Sequence, residues 1–382
     1  MKVVVAPQEF KGSLSASEAA AAMAEGVRGA LAQAVIIALP MADGGPGTVA
    51  AVVAGGGRLL RAAARDPLGR PVEAEWALVG GETAVIEMAQ AAGLWRLAPQ
   101  ERDPGATSTY GVGELIRVAM DAGCRHLIVG LGGSATNDGG AGMVQALGGR
   151  FLDERGEELP RPCRGAALAR LHRIDVSALD GRLRQCRVTA ATDVSNPLCG
   201  PEGASLVYSP QKGATPEMAQ ELEAALRHYA EVIERDTGAR IVDTAGAGAA
   251  GGLGAGLIAF LNASVRPGAD LVAEVMGLGE ALADADLVLT GEGQLDAQTA
   301  YGKTVSGVVR LARQGGVPVI AIVGSLGPGW HTLLSQGLDG VEAMVGGSFG
   351  LEEAMRRAPE LLARTTERAV RDWLRVQAIG GT

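Results

Sequence analysis

Residues 286–325 read DLVLTGEGQLDAQTAYGKTVSGVVRLARQGGVPVIAIVGS, and this stretch is central to the predicted fold. The short apolar run at its start is typical of a buried strand. Glycine and polar residues follow, and apolar residues at helical spacing then run to residue 314. A second apolar run, 317–323, completes the pattern. The stretch therefore predicts a strand–helix–strand unit of the kind that builds a parallel sheet.

Charged residues follow the first strand of this unit. Glu292 and Asp296 come directly after it, and Lys303 opens the predicted helix. In open parallel sheets, ligands bind at the carboxyl ends of the strands. Gly302-Lys303-Thr304 also resembles part of a phosphate-binding P-loop, but that motif requires glycine where this chain has Ala297. We therefore expect a metal-plus-lysine site of another design.

The alternation of strands and helices divides the chain. Residues 1–70 and the part after residue 284 share it, whereas short strands joined by turns between residues 59 and 88 predict an antiparallel meander. The sequence thus predicts an α/β fold with two domains. A discontinuous parallel-sheet domain is expected to contain residues 1–70 and 285–382, and a mixed α/β domain is expected to be inserted as residues 71–284.

The composition limits the classes of partner. Hydrophobic residues make up 47% of the 382 residues, enough for a packed globule. The net charge of −9 disfavours a nucleic acid or an anionic membrane surface. No apolar run reaches the roughly 18 residues of a membrane span, and the N-terminus lacks a signal-peptide pattern, so we expect a cytoplasmic protein. The four cysteines lack metal-like spacing and are expected to be reduced.

Lysine is rare in this sequence. Only four of the 34 basic residues are lysine, and Lys11, Lys212 and Lys303 each adjoin a glycine. Lysine is a compact point charge that suits phosphate oxygens, whereas arginine can supply a generic positive charge. Chance placement is the alternative, but the glycine-rich context favours a role in binding an anion.

A glycine-rich motif, GGSATNDGGAG, occupies residues 132–142 after a predicted strand. Its backbone N–H groups and polar side chains precede a predicted helix, an arrangement that suits phosphate or carboxylate. Asp138 is a candidate catalytic group in this motif. The candidate binding residues of the motif are Gly132, Gly133, Ser134, Thr136 and Asn137.

Three further polar residues follow predicted strands. Asp43, on a glycine-rich turn, is a candidate metal or substrate ligand, with a simple turn aspartate as the alternative. Asp193 is a candidate base or metal ligand, with helix capping as the alternative, and Asn196 lies three residues on. In the segment 243–252, close packing of the glycines is favoured over the approach of a nucleotide. We expect the charged candidates to meet in a cleft between the domains.

Eight segments of the chain form a characteristic set: VVVAPQEFKGSLSASE (3–18), MADGGPGT (41–48), IVGLGGSATNDGGAGMVQALG (128–148), TDVSNPLCGPEGAS (192–205), PQKGA (210–214), AGAGAAGGLGAGL (245–257), LTGEGQLD (289–296) and YGKTVSGV (301–308). Taken together, these motifs resemble the bacterial glycerate kinase type-1 family over nearly the whole chain. Two departures from the family pattern are Gln8-Glu9, where an Asp-Ser pair is frequent, and Ala245, where proline is frequent. Neither is expected to touch a candidate site residue.

The resemblance implies ATP-dependent phosphorylation of D-glycerate, usually at the 2-hydroxyl, to give 2-phospho-D-glycerate and ADP. It also implies one Rossmann or flavodoxin-like domain and one mixed α/β domain similar to restriction-enzyme folds. The alternatives are a kinase that gives 3-phosphoglycerate or acts on a related hydroxy acid, and a non-catalytic nucleotide- or metabolite-binding protein. The non-catalytic binding protein is the least favoured alternative, because it would not need lysines and acidic residues on four separate loops. Either a monomer or a homodimer is compatible with the sequence.

Phosphoryl transfer needs alignment, a divalent ion, cations for the developing charge and a base near the acceptor hydroxyl. Mg²⁺ typically takes one or two carboxylates together with phosphate oxygens, so it is expected among Asp193, Glu292 and Asp296. Asp193 or Asp138 is the candidate base. The three lysines beside glycine are expected to neutralise the substrate carboxylate and the phosphates, Lys11 and Lys303 as catalytic residues and Lys212 as a phosphate ligand.

Overall fold

The computed structural model describes residues 1–300, 304–344 and 351–380. The strands in this part of the chain are β1 Lys2–Pro7, β2 Val35–Ala38, β3 Arg58–Arg65, β4 Pro71–Val79, β5 Thr83–Glu87, β6 His126–Gly130, β7 Arg150–Leu152, β8 Arg173–Asp175, β9 Arg187–Ala191, β10 Ser264–Arg266, β11 Leu287–Gly291, β12 Gln294–Leu295, β13 Val319–Val323, β14 Ser325–Leu326 and β15 Gly340–Ala343.

The α-helices are α1 Ala16–Ala30, α2 Thr48–Ala54, α3 Ala89–Ala92, α4 Tyr110–Asp121, α5 Ala141–Ala146, α6 Ala204–Tyr208, α7 Pro216–Thr237, α8 Ala249–Leu261, α9 Gly268–Val275, α10 Leu278–Leu282, α11 Thr304–Gln314, α12 Thr332–Ser335, α13 Leu351–Arg356 and α14 Ala358–Gly380. Short 3₁₀ helices are Leu94–Arg96, Pro99–Glu101, Gly165–Arg170, Gly181–Gln185, Pro210–Lys212 and Ala297–Ala300. No helix in the described ranges is long and apolar enough to cross a membrane.

The chain divides into two compact units. Unit 1 contains Met1–Asp43, Ala50–Gly56 and Ala269–Thr382, and unit 2 contains Gly44–Val49 and Gly57–Gly268. Strand β3 therefore lies in unit 2, although it precedes the predicted boundary at residue 70. The assignment of these units as the predicted domains stays a prediction.

Unit 1 is built on a five-stranded sheet with the order β15-β13-β11-β1-β2. All four pairings are parallel. In chain order this is the flavodoxin-like arrangement 2-1-3-4-5. Strands β11 and β13 are buried at every residue, as expected for parallel strands that are covered on both faces. The predicted α/β class with a parallel sheet is confirmed.

Three local sequence patterns in unit 1 can be compared with the structure. Ser15 and Glu18 predict a capping box at the start of α1, which is confirmed, because Ser15 N donates to the Glu18 carboxylate and Glu18 N donates to Ser15 Oγ. The helical pattern near the C-terminus predicts one helix over 351–375, which is wrong, since α13 ends at Arg356 and α14 begins at Ala358. Pro359 explains the break, because proline fits the first turn of a helix but not its interior. The sequence also predicts a strand over 341–345, whose end at Val345 lies outside the described residues.

Unit 2 is built on a six-stranded mixed sheet with the order β10-β9-β6-β5-β4-β3. Strands β3, β4 and β5 form the predicted antiparallel meander. Strands β5, β6, β9 and β10 are parallel, so their carboxyl ends meet at one edge. Its core contains large buried side chains such as Trp76, Phe151 and Tyr229.

Two glycine-rich segments pack backbone against backbone in unit 2. A Cβ atom at Gly251 would lie 1.8 Å from the carbonyl oxygen of Thr136, and one at Gly256 would lie 2.7 Å from that of Gly139. Gly251 also has a backbone φ of +67°, which residues other than glycine rarely adopt. The favoured interpretation of these glycines as packing residues is confirmed.

The segment Gly44–Val49 lies over the carboxyl edge of the sheet in unit 2. Gly132 N donates to Gly44 O at 3.4 Å, and a Cβ atom at Gly130 would lie 2.3 Å from the same oxygen. At the end of β5, Glu87 is 3% exposed and accepts a hydrogen bond from Val49 N at 2.6 Å. One buried carboxyl group thus anchors the segment that follows Asp43.

Burial raises the pKa of Glu87 to about 7, and hydrogen bonds from Val49, Gln90 and Gly47 oppose this rise. The nearby charge of Glu75 raises the pKa further. Because the pKa is higher in the folded state, the contribution of this group to stability is fully present below about pH 4.5 and is lost as the pH rises through about 7.

Glu87→Gln should remove this pH dependence, because the amide oxygen can still accept the Val49 N–H but does not titrate. We expect the free energy of unfolding of the wild type to fall by up to about 3 kcal/mol relative to the variant between about pH 5 and pH 8. Urea denaturation of both proteins at each pH measures the difference. An equal difference at both pH values would contradict the assignment.

Candidate functional site

A cavity of about 620 Å³ lies at the carboxyl edge of the sheet in unit 1. It opens where β1 and β11 end, which is the point where the strand order reverses and where ligands of such sheets bind. Four predicted site residues line it: Lys11, Asp43, Glu292 and Asp296. Apolar residues line another part of it, among them Phe10, Met344, Ala354, Met355 and Ala358.

Glycines let the strand ends approach each other at this cavity. A Cβ atom at Gly291 would lie 1.9 Å from Ile322 O, and one at Gly324 would lie 2.3 Å from Gly293 O. Gly324 N donates to Glu292 O at 3.1 Å, which fixes the backbone that carries this carboxylate. The glycines of the sequence motif therefore allow Glu292 to lie between two closely packed strand ends.

Gln8 and Glu9 contact the predicted site residues. Gln8 Nε2 donates to Asp43 Oδ2 at 3.2 Å, and both Gln8 and Glu9 line the cavity. Partial burial and then the charge of Asp43 raise the pKa of Glu9, whereas Lys11 opposes the rise. The expectation that the departure at residues 8–9 touches no candidate residue is therefore wrong. The contact joins two separate loops, so no local sequence pattern indicates it.

Glu292 and Asp296 are held by one residue that the sequence did not single out. The Thr299 hydroxyl donates to Glu292 Oε1, and Thr299 N donates to Asp296 Oδ1. No group of three or more acidic, histidine or cysteine side chains in the described residues could hold a metal ion. Two carboxylates nevertheless match what Mg²⁺ takes when phosphate oxygens complete its coordination.

Two of the charged candidates of unit 2, Asp138 and Lys212, lie in one buried cluster. Asp138 is fully buried, and its Oδ2 accepts hydrogen bonds from Thr109 N and Oγ1, each at 2.8 Å. Its carboxylate also accepts from the N–H groups of Gly140 and Gly142, each at 3.2 Å. Burial raises the pKa of Asp138, and these hydrogen bonds oppose the rise.

Lys212 belongs to the same cluster. It is 2% exposed, and its Nζ donates to Thr136 O at 2.8 Å. Burial lowers the pKa of its ammonium group, and the charge of Asp138 opposes this effect. Lys212 and Asp138 therefore stabilise the two ends of the segment 136–142 through buried hydrogen bonds to Thr136 O and Gly142 N.

The glycine-rich motif at 132–142 has an outer and an inner part. Gly132, Gly133 and Ser134 are at least partly exposed, whereas Thr136 and Asn137 are fully buried. Asn137 Nδ2 donates to Ser205 Oγ at 2.9 Å. The predicted anion-binding and catalytic roles of this motif stay predictions, and its accessible part is the outer one.

Asp193 and Asn196 follow β9 at the carboxyl edge of the sheet in unit 2. Asp193 is exposed, and its Oδ1 accepts a hydrogen bond from Gly268 N at 2.8 Å, at the start of α9. Asn196 donates to Glu202 O at 2.8 Å and accepts from the Tyr208 hydroxyl at 2.7 Å. The capping alternative for Asp193 is therefore confirmed, and its catalytic role stays a prediction.

The predicted common cleft also stays a prediction. Of the eight charged residues expected there, four line the cavity of unit 1, and Asp138, Asp193 and Lys212 lie in unit 2. Lys303, with Tyr301 and Gly302 of the same motif, lies outside the described residues.

Another cavity, of about 600 Å³, lies beside α14 and is lined by Arg364, Arg368, Arg371 and Arg375. Each of these arginines forms an ion pair with an acidic side chain. Its positive charge is therefore compensated, and the cavity at the carboxyl edge is the better candidate site.

A parallel sheet that carries a lysine and two carboxylates at its carboxyl edge suits an enzyme acting on phosphorylated compounds. The model of the glycerate kinase family matches residues 3–374. A glycerate kinase of Bacillus subtilis (strain 168) is 48% identical over 96% of this chain and 96% of its own length. A glycerate 2-kinase of Escherichia coli (strain K12) is 45% identical, again over 96% of each chain.

The structure is similar to a crystal structure from Salmonella typhimurium LT2, whose name gives glycerate kinase 2 as a provisional assignment. The TM-score is 0.88 at 47% identity, and the match covers 99% of both chains. The chain therefore belongs to the glycerate kinase family, as its motifs implied.

Proposed function

We propose that this protein phosphorylates D-glycerate at the 2-hydroxyl with ATP, giving 2-phospho-D-glycerate and ADP. The observation that carries the proposal is full-length similarity to proteins named glycerate kinase, of which the Escherichia coli relative is named glycerate 2-kinase. The proposed cytoplasmic location and the monomeric or homodimeric state come from the sequence alone.

The cavity of unit 1 supports a role in binding the nucleotide phosphates. Lys11 is exposed on the loop after β1, where its ammonium group can approach phosphate oxygens. Glu292 and Asp296 are the residues that would hold Mg²⁺, which when bound reduces the charge on the phosphates. The apolar part of the cavity, with Met344 and Met355, offers a surface for the nucleoside.

The two candidate bases differ in accessibility. Asp138 is enclosed and accepts several hydrogen bonds from its own unit, which suits a residue that holds a loop. Asp193 is exposed at the end of a strand, so we propose it as the residue that accepts the proton of the glycerate hydroxyl. Lys212, enclosed beside Asp138, is proposed to support the 132–142 loop, whose exposed N–H groups would bind an anion.

The proposed function is tested by ATP-dependent turnover of D-glycerate with Mg²⁺, coupled through enolase and pyruvate kinase. Because enolase accepts 2-phosphoglycerate, we expect signal without added phosphoglycerate mutase. Signal only with the mutase would mean that the product is the 3-phosphate. No signal in either assay, from folded protein, would contradict the proposed function and direct attention to related hydroxy acids.

A pair of variants separates the two roles of Asp193. Asp193→Asn can still accept the Gly268 N–H, so its melting temperature should match that of the wild type, whereas Asp193→Ala should lose about 0.5–2 kcal/mol of stability with the cap. If Asp193 is the base, both variants lose at least about 100-fold in turnover number. Near-normal turnover by Asp193→Asn would remove this residue from the mechanism and leave only the capping role.

A further inference from the structure

We infer that Thr299 is a positioning residue that sets the orientation of Glu292 and Asp296 for the metal ion that accompanies the nucleotide. The inference rests on the proposed function, because it concerns the same carboxylates. Thr299 lies in the short 3₁₀ helix Ala297–Ala300, just after β12, and its side chain is 1% exposed.

Thr299 makes three hydrogen bonds to the two acidic residues. Its hydroxyl donates to Glu292 Oε1 at 2.5 Å, which is short and typical of a bond to a charged oxygen. The hydroxyl oxygen accepts from Asp296 N at 3.3 Å, and Thr299 N donates to Asp296 Oδ1 at 3.4 Å. Thr299 therefore contacts the Glu292 carboxylate through its hydroxyl and the Asp296 carboxylate through its backbone N–H.

The direction of these bonds follows from the chemistry of the groups. An ionised carboxylate can only accept, so the single hydroxyl proton of Thr299 must point to Glu292. The hydroxyl oxygen is then left to accept the Asp296 N–H. Because threonine is branched at Cβ, its χ1 angle is restricted. One rotamer of Thr299 therefore makes both hydroxyl hydrogen bonds, to Glu292 Oε1 and from Asp296 N.

The backbone beneath these side chains is held independently of Thr299. Gly324 N donates to Glu292 O at 3.1 Å, Ser325 N to Gly293 O at 3.0 Å, and Ala297 N to Pro328 O at 2.9 Å. Removing the Thr299 hydroxyl should therefore remove one hydrogen bond that orients the Glu292 carboxyl group while the strand ends stay in place.

Orientation matters because Mg²⁺ requires nearly ideal octahedral geometry. Groups that orient metal ligands through hydrogen bonds typically contribute about 10- to 100-fold to metal affinity or activity. A carboxylate that has lost one of the hydrogen bonds that orient it would bind the ion less well without any change in charge. This distinguishes a positioning residue from one that merely fills space.

The test compares Thr299→Val, which keeps the shape and loses the hydroxyl, with Thr299→Ser, which keeps the hydroxyl. Electron paramagnetic resonance of Mn²⁺ in the presence of ADP measures metal binding without turnover. We expect Thr299→Val to weaken Mn²⁺ binding by about 10- to 100-fold and Thr299→Ser to stay within about threefold of the wild type. In steady-state assays, the Mg²⁺ concentration for half-maximal rate should rise while the KM for D-glycerate stays unchanged.

A double variant guards against a general loss of stability. In the Glu292→Gln background, Thr299→Val should cause a smaller further loss of Mn²⁺ affinity, since its main partner is already changed. Wild-type Mn²⁺ affinity in Thr299→Val, an equal loss in Thr299→Ser, or no Mn²⁺ binding by the wild type would overturn the inference. Intact Mn²⁺ binding without turnover of D-glycerate would overturn the proposed function alone.

Discussion

The candidate site depends on the parallel pairing of β1 with β11. Val3 lies beside Leu287 and Pro7 beside Gly291, so two segments 284 residues apart in sequence end at the same sheet edge. Lys11 follows one strand and Glu292 the other, and both therefore reach one cavity. Most of the chain between β2 and α9 belongs to unit 2, whereas the pairing of β1 with β11 is set by buried apolar side chains on these two strands. The parallel pairing of β1 with β11 therefore determines which charged side chains lie together at this edge.

Burial distinguishes Asp138 and Lys212 of unit 2 from Lys11 of unit 1. Asp138 and Lys212 are enclosed, and each satisfies groups of its own unit. A buried charge is costly unless it is compensated, so these residues stabilise one conformation of a glycine-rich loop. Lys11, by contrast, is exposed. The ammonium group of an exposed lysine can exchange its bound water for phosphate oxygens at a lower free-energy cost than that of a buried lysine. Charged residues in similar glycine-rich motifs thus have different physical roles.

Much of the fold follows from the sequence, because periodicity and strand-end motifs are local. Strands β11 and β13, the capping box at Ser15 and the meander from β3 to β5 were predictable in this way. The break near Pro359 was not predicted, because the residues on both sides of it share a helical pattern. Burial of Asp138 and the Gln8–Asp43 contact were not predictable, since each depends on residues brought together only by folding. The sequence indicated which residues are polar and where strands end, but not which of them face solvent.

We propose that the exposed lysine of unit 1 binds the nucleotide and that the enclosed lysine of unit 2 supports the fold. Isothermal titration calorimetry of ADP with Mg²⁺, together with melting temperatures, on Lys11→Met and Lys212→Met tests both roles. We expect Lys11→Met to lose ADP affinity at an unchanged melting temperature. Lys212→Met is expected to lose about 1–3 kcal/mol of stability, because the buried Thr136 O loses the hydrogen bond from Lys212 Nζ. Wild-type ADP affinity in Lys11→Met, or lost affinity at full stability in Lys212→Met, would rule out this assignment of the two lysines.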